Sequence, residues 1–315
     1  MRIPSIPLAL LIAAFGHQSV SGEPAVQKNV STKARLVVPA RFRSVEEAIS
    51  GLERIRDSFI ARHDRRGVFA ATYVESTRAF HDSLRQRRYE SNKKMARFVV
   101  AFANAYRQAL ADYERGAPTP EAWRTSFDIS RSGTSTVSED LLLGINAHVN
   151  YDIAFAILHA GIDVRSEMSH RDHLRANQVL REATPRVRRK IVQVYRPPGA
   201  WVSWLFARRI DEATAASFIH ARNNAWAAAT AIATTRSVER RRLFRRAVER
   251  CSARAALGIH ANKNSPGRAL SIMTAANDWF SEKSAPRLKR PRENKVASAE
   301  RAALIFSRPL CASVP

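Results

Sequence analysis

The chain has 315 residues, a formal net charge of +24 and a pI near 11.3. Its 45% hydrophobic content is ordinary for a globular protein and excludes wholesale disorder, while only 11 glycines leave few tight turns and favour helix. Two cysteines are too few for an all-thiolate zinc site.

From the N-terminus, Arg2 is the lone charge before an apolar run, Ile6 to Phe15, and small residues follow at Val20-Ser21-Gly22. This order predicts a signal peptide over residues 1–22, cleaved near Gly22, and a secreted or periplasmic mature protein. At about ten residues the run is shorter than the roughly 20 a membrane span needs. No later segment reads as long and apolar enough, so no transmembrane segment is expected in the mature chain. Residues 23–43 are a polar lead-in without periodicity.

Ser44 and Glu47 open the first helix as a capping box, carried forward by Ala48, Leu52, Ile55 and Phe59. His63 to Gly67 breaks it. A second helix runs from about Val68 towards Tyr89, and a third covers Lys93 to Tyr113 with Phe98, Phe102 and Tyr106 in phase. Gly116-Ala117-Pro118 stops the third, and Pro120 takes the first position of the next. A Ser/Thr/Gly loop over 130–138 precedes an apolar helix from about Glu139 to Ala160, closed by Gly161. Further helices are predicted over Arg171–Tyr195, over Trp201–Thr235 with a break near Arg209 to Thr214, and over Ser237–Leu257. A short one follows up to Phe280. Residues 281–296 read as a basic linker before a last short helix at 298–306. No period-two pattern or fixed repeat appears, so the fold class is all-α: one compact irregular multi-helix bundle over residues 44–280, with a basic tail over 281–315.

The positive charge attracts anionic surfaces: nucleic acid, phospholipid headgroups or acidic polysaccharide. Its arginines are scattered over nearly every helix, as at Arg236, Arg240, Arg241, Arg242, Arg245 and Arg246, and such a bias often reflects genome composition. No zinc finger, RNA-binding signature or aromatic-interleaved basic motif is present, so a specific nucleic-acid binder is not supported. In an oxidising compartment Cys251 and Cys311 can form one bridge that ties the tail to a helix; two buried thiols are the alternative.

The segment Leu141 to Leu158 is the most informative. Read at about 100° per residue it is a helix buried all round that carries Asn146, His148, Asn150 and Asp152. Burying an unpaired polar group costs roughly 1–3 kcal/mol, so each must meet a specific partner. His148 and Asp152, four apart, share a side. They form a structural hydrogen bond, a carboxylate-oriented base, or two ligands of a divalent metal such as zinc. Further metal ligands would come from His63-Asp64, His81-Asp82 or His170 and Asp172. Asn146 and Asn150 lie on a roughly opposite side and either brace neighbouring helices or meet a ligand. The tryptophans read as core. Neither a nucleophile elbow nor a phosphate-binding glycine loop occurs.

The string Gly144-Ile145-Asn146-Ala147-His148-Val149-Asn150-Tyr151-Asp152 resembles the signature of a helical, mainly bacterial family catalogued only as a domain of unknown function. Looser pieces resemble it in the same order: Phe69, Tyr73 and Thr77; Phe80 and Asp82; Phe102 to Tyr106; Pro120, Trp123 and Phe127. Asp172, Asn177, Arg222 and Trp226 follow the signature. The chain has Asp172-His173 where the family more often has Asp-Tyr, and the tail beyond 240 is unmatched. The resemblance implies an all-α fold, brings no established activity, and suggests that His148, Asp152, Asp172, Asn177 and Arg222 converge. The expectation is an exported helical protein with a buried polar pocket around His148 and Asp152, a hydrolase on a small or lipid-like substrate. There Asn146, Asn150, Asp172 and Asn177 would bind substrate and Arg222 would contact an anion. The alternative is a non-catalytic basic envelope protein that binds polyanions or anionic lipid.

Overall fold

A computed structural model describes residues 36–195, 207–278 and 280. The expected signal peptide, most of the lead-in, Trp201 and Trp204, the basic linker, the last short helix and Cys311 lie outside these residues. Among the described residues the secondary structure is helical, with no strand. The helices are α1 (Val45–Ala61), α2 (Gly67–Arg85), α3 (Asn92–Arg115) and α4 (Glu121–Ser132). A central rod follows, made of α5 (Val137–Ile145), a π-helical turn (Asn146–Asp152) and α6 (Ile153–His159). Then come α7 (Glu167–Tyr195), α8 (Ala207–Thr234), α9 (Val238–Ala261) and α10 (Pro266–Ala275).

Local chemistry sets most boundaries. Ser44 caps α1 by accepting from the Glu47 amide at 3.1 Å, but Glu47 reaches back to the Arg43 amide, so the box is displaced by one residue. A reciprocal box stands at the start of the rod, where Thr136 accepts from the Glu139 amide and Glu139 from the Thr136 amide. Pro120 is the cap of α4 rather than its first residue. Gly161 ends the rod at φ +66, a left-handed conformation glycine adopts without steric cost. The expected break near Arg209 to Thr214 is absent: α8 is continuous there, as its run of alanines favours. Nor is the lead-in idle. Phe42 is buried, and its backbone exchanges two hydrogen bonds of 2.9 Å with Asn104 on α3.

The rod is the core of the bundle. Helices α2, α3, α4, α8, α9 and α10 all pack on it, while α1 packs on α2 and α7 joins α2 to α8. By length and composition, the 23-residue helix Val137–His159 could cross a membrane, its apolar stretch having a mean hydropathy of 1.4, contrary to the sequence expectation; yet 72% of that stretch is buried inside the protein. Enclosure by six helices satisfies its apolar side chains at roughly 1.5–3 kcal/mol each for the large ones.

Gly144 allows the closest approach in this core. A Cβ there would stand 2.4 Å from Cγ of Phe69, which therefore lies directly on the rod's backbone. Gly144→Ala should lower unfolding free energy by about 1–3 kcal/mol, the usual range for overpacking. Denaturant titration measures it, and most of the loss should vanish in a Phe69→Ala background; a loss that persists there has another cause.

Candidate functional site

The rod is not the uninterrupted α-helix its spacing predicts. The Ile153 amide bonds to the His148 carbonyl, five residues back, so the chain widens by a residue per turn over the polar segment. Ile145, Ile153 and Ala156 remain buried as expected, while Val149 is only half-buried. His148 and Asp152 still meet: Nδ1 and Oδ2 are 2.9 Å apart, both side chains buried. The indole N–H of Trp123 on α4 donates to the same Oδ2 at 3.0 Å.

Five aromatic rings enclose the imidazole. Phe102 stacks on it at 3.5 Å between ring centres and 9° between planes. Tyr73 meets it edge-on at 4.2 Å and Phe69 at 5.4 Å, with Trp123 and Tyr106 at 6.0 and 6.4 Å. These rings come from α2, α3 and α4 as pairs four apart (69 and 73, 102 and 106), the spacing that stacks side chains on one helix face. Each was legible in the sequence as part of the resemblance or as core; nothing in the spacing said that they surround one histidine.

The enclosure shapes the electrostatics. Burial pushes the His148 imidazole well below its ordinary range, and the charge of Arg222 adds to this. Burial likewise pushes the Asp152 carboxyl well above its range, opposed by the Trp123 indole. Both directions favour a pair with no net charge, in which the carboxyl proton is shared with Nδ1 and the other imidazole proton sits on Nε2. Among the described residues Nε2 has no hydrogen-bond partner within 3.5 Å, and neither do the buried hydroxyls of Tyr73 and Tyr106, although the Thr77 side chain stands near enough to that of Tyr73 to oppose its upward pKa shift.

The remaining expected residues are placed elsewhere. Asn146 donates to the Ser252 carbonyl of α9 at 2.8 Å. Asn150 donates to Asn146 at 2.9 Å and to the Met273 carbonyl of α10 at 2.8 Å, and Asn277 donates to the Asn150 carbonyl at 2.7 Å. The two rod asparagines therefore brace α9 and α10, one of their two expected roles. Asp172 accepts from the Glu90 and Ser91 amides at 2.7 and 2.9 Å, which closes the start of α3. Asn177 accepts from Nε of Arg222 at 2.7 Å. The five residues expected to converge thus fall into two groups, His148 with Asp152, and Asp172, Asn177 and Arg222 around α7 and α8.

A buried polar pocket around His148 and Asp152 is the expectation; neither residue lines the three cavities beside the rod. The metal alternative loses its ligands, since among the described residues no three His, Cys, Asp or Glu side chains are grouped to hold an ion. Asp64 is held by Arg66 at 2.6 Å, and His81 faces Glu46 at 3.2 Å on the surface. Cys251 is buried on α9 and is not a free thiol.

Residues 45–262 match the model of a family of unknown function (DUF5995), and the chain belongs to that family. No curated protein and no solved structure matches it.

His173 yields a clean pH prediction. Burial, then the charge of Arg222, pushes its imidazole down to about 3 in the fold. The unfolded chain, with an ordinary imidazole, takes up the proton first, so this stability is present above about pH 6.5 and is lost as pH falls towards 3, at up to about 1.4 kcal/mol per pH unit. Chemical denaturation between pH 6.5 and 4.5 should show a shallower decline for His173→Gln than for the wild-type chain. Equal slopes would mean that the ring is solvated in the fold.

Proposed function

We propose that this member of the family is an exported hydrolase for a small or lipid-like substrate, with His148 and Asp152 as its chemical centre. The observation that carries the reading is the group of three orphan polar atoms, Nε2 of His148 and the hydroxyls of Tyr73 and Tyr106. Their rings lie within 6.4 Å of one another. Leaving each unpaired in an apolar core costs about 1–3 kcal/mol, a cost that packing alone gives no reason to retain. They sit over a π-helical turn, a distortion that often marks a functional site. In this reading Nε2–H gives its proton to the leaving oxygen while the Asp152 carboxyl proton moves onto Nδ1. The freed Nε2 then takes the proton of the attacking water and the Nδ1 proton returns to Asp152, and the two phenols donate to the charge that develops.

The aromatic rings close over His148, so substrate reaches it only when Phe69 or Phe102 rotates aside, a gating step of a familiar kind. An apolar cavity of about 120 Å³ lies against the same rod, lined by Leu141, Leu142 and Ile145 together with Thr72 and Ser76, the neighbours of Tyr73 along α2. It suits an alkyl or acyl chain, which supports the lipid-like substrate class. The mature protein should hydrolyse chromogenic short-chain esters or phosphoesters, with His148→Gln and Asp152→Asn at least about 100-fold slower, as expected for loss of a proton-transfer group. Thermal melting and circular dichroism establish that the variants are folded. Full activity in folded His148→Gln, or no turnover by the wild-type chain across both substrate classes, overturns the reading.

A second reading is favoured by a separate observation. A cleft of about 1400 Å³ runs between the start of α1, α3 and the π-turn, with Arg41, Arg43, Arg85, Arg97, Arg245 and Arg246 along it and Glu46 and Glu249 as its acids. None of those six arginines forms an ion pair with a described residue, and Arg245 lies 5.2 Å over the Phe155 ring. Such a trench fits a polyanion or an anionic lipid surface. Association with anionic vesicles should weaken steeply between low and physiological salt, and should fall in Arg245→Gln/Arg246→Gln but not in His148→Gln. Salt-independent association, or equal loss in both variants, removes it.

A further inference from the structure

Arg222 is the one feature that neither reading absorbs. It lies in the middle of α8 at 2% exposure, among the largest buried side chains of the protein. A buried guanidinium is normally matched by a carboxylate. Arg222 has none within ion-pairing distance among the described residues; its Nε donates to the neutral Asn177 amide at 2.7 Å, and its two terminal nitrogens donate to no described residue. Burial pulls its pKa down to about 10, which still leaves it charged at neutral pH. Asn177 is held in turn by Asn223 at 3.0 Å, so the fork is fixed in place.

The guanidinium lines a small cavity of about 20 Å³, together with Lys94, Phe98, Ser169, His173 and Trp226. That volume admits about one water-sized group, such as a carboxylate oxygen, with the rest of any ligand in the mouth. Lys94 forms no ion pair with a described residue and adds a second cation there. Asp172 also borders the cavity, but its oxygens are engaged by the Glu90 and Ser91 amides and by Arg175 at 3.2 Å. His173, kept neutral by burial and bonded to Asn223 at 3.0 Å, brings no competing charge.

We propose that this cavity is a binding site for a carboxylate group, received in the plane of the Arg222 fork and delivered by a small organic acid. The counter-charge that no described residue supplies comes from the ligand. A planar two-oxygen head matches the paired N–H donors of a guanidinium and fits the narrow cavity, whereas a tetrahedral phosphate is bulkier. The assignment is independent of any chemistry at His148.

The test is thermal-shift and calorimetric titration of the full mature chain with acetate, butyrate, phosphate and chloride at constant ionic strength. Acetate and butyrate should raise the melting temperature with saturation, and chloride should not. Ser169→Leu, which fills the cavity but leaves Arg222 in place, should weaken carboxylate binding by about tenfold or more, and Arg222→Gln should abolish it. Lys94→Ala, a change at the mouth that the fold tolerates, should weaken it several-fold. No carboxylate effect above that of chloride, unchanged binding in Ser169→Leu, or stronger stabilisation by phosphate than by the carboxylates each overturns the assignment.

Discussion

The structure depends on the need to bury a largely apolar rod that carries four buried hydrogen-bonding side chains in seven residues. An apolar helix surrounded by six others is stable through burial, but every polar group on it must be answered inside a medium with little water. The protein answers them in two directions. Asn146 and Asn150 turn towards α9 and α10 and tie backbone carbonyls that lie more than 100 residues away in sequence. His148 and Asp152 turn towards α2, α3 and α4 and meet one another, an indole and a shell of rings. The π-turn lies where those two obligations diverge.

The two sides differ in what they join. On the asparagine side the amide nitrogens tie helices together, while the Oδ1 atoms of Asn150 and Asn277 have no partner among the described residues. On the histidine side one imidazole nitrogen and two phenols have no partner among the described residues, although the same aromatic side chains pack closely. The unmet atoms of the histidine side are grouped around one ring, whereas those of the asparagine side belong to a brace between helices. Gly144 belongs to the same arrangement, because the space it leaves is filled by Phe69, which then touches the imidazole.

Charge is organised on a similar principle. Most buried acids have cationic partners, as Asp140 has Arg65 and Glu75 has Arg78. Arg222 is the reverse case, an interior cation with no ion-pair partner among the described residues, and its field adds to burial in depressing both His148 and His173. The helices that carry the aromatic shell and those that carry the arginine meet at Phe98, which borders the arginine cavity and stacks on Phe102, itself stacked on His148. The two polar groups are therefore neighbours separated by rings.

The sequence by itself determined the helices, their caps at Ser44 and Gly161, the enclosure of the rod and the meeting of His148 with Asp152. All of these follow from contacts a few residues apart or from the periodicity of apolar side chains, and such short-range chemistry is written along the chain. It could not reveal the aromatic shell, the division of Asp172, Asn177 and Arg222 from the histidine, or the dispersal of His63-Asp64 and His81-Asp82 away from any shared ion. It also could not show the π-turn, since an α-helix reads the same spacing equally well until the neighbouring helices demand a wider one. Those features were decided only by the tertiary structure, because they depend on which faces of distant helices are pressed together. That is settled by the summed packing of the whole core and not by any local pattern.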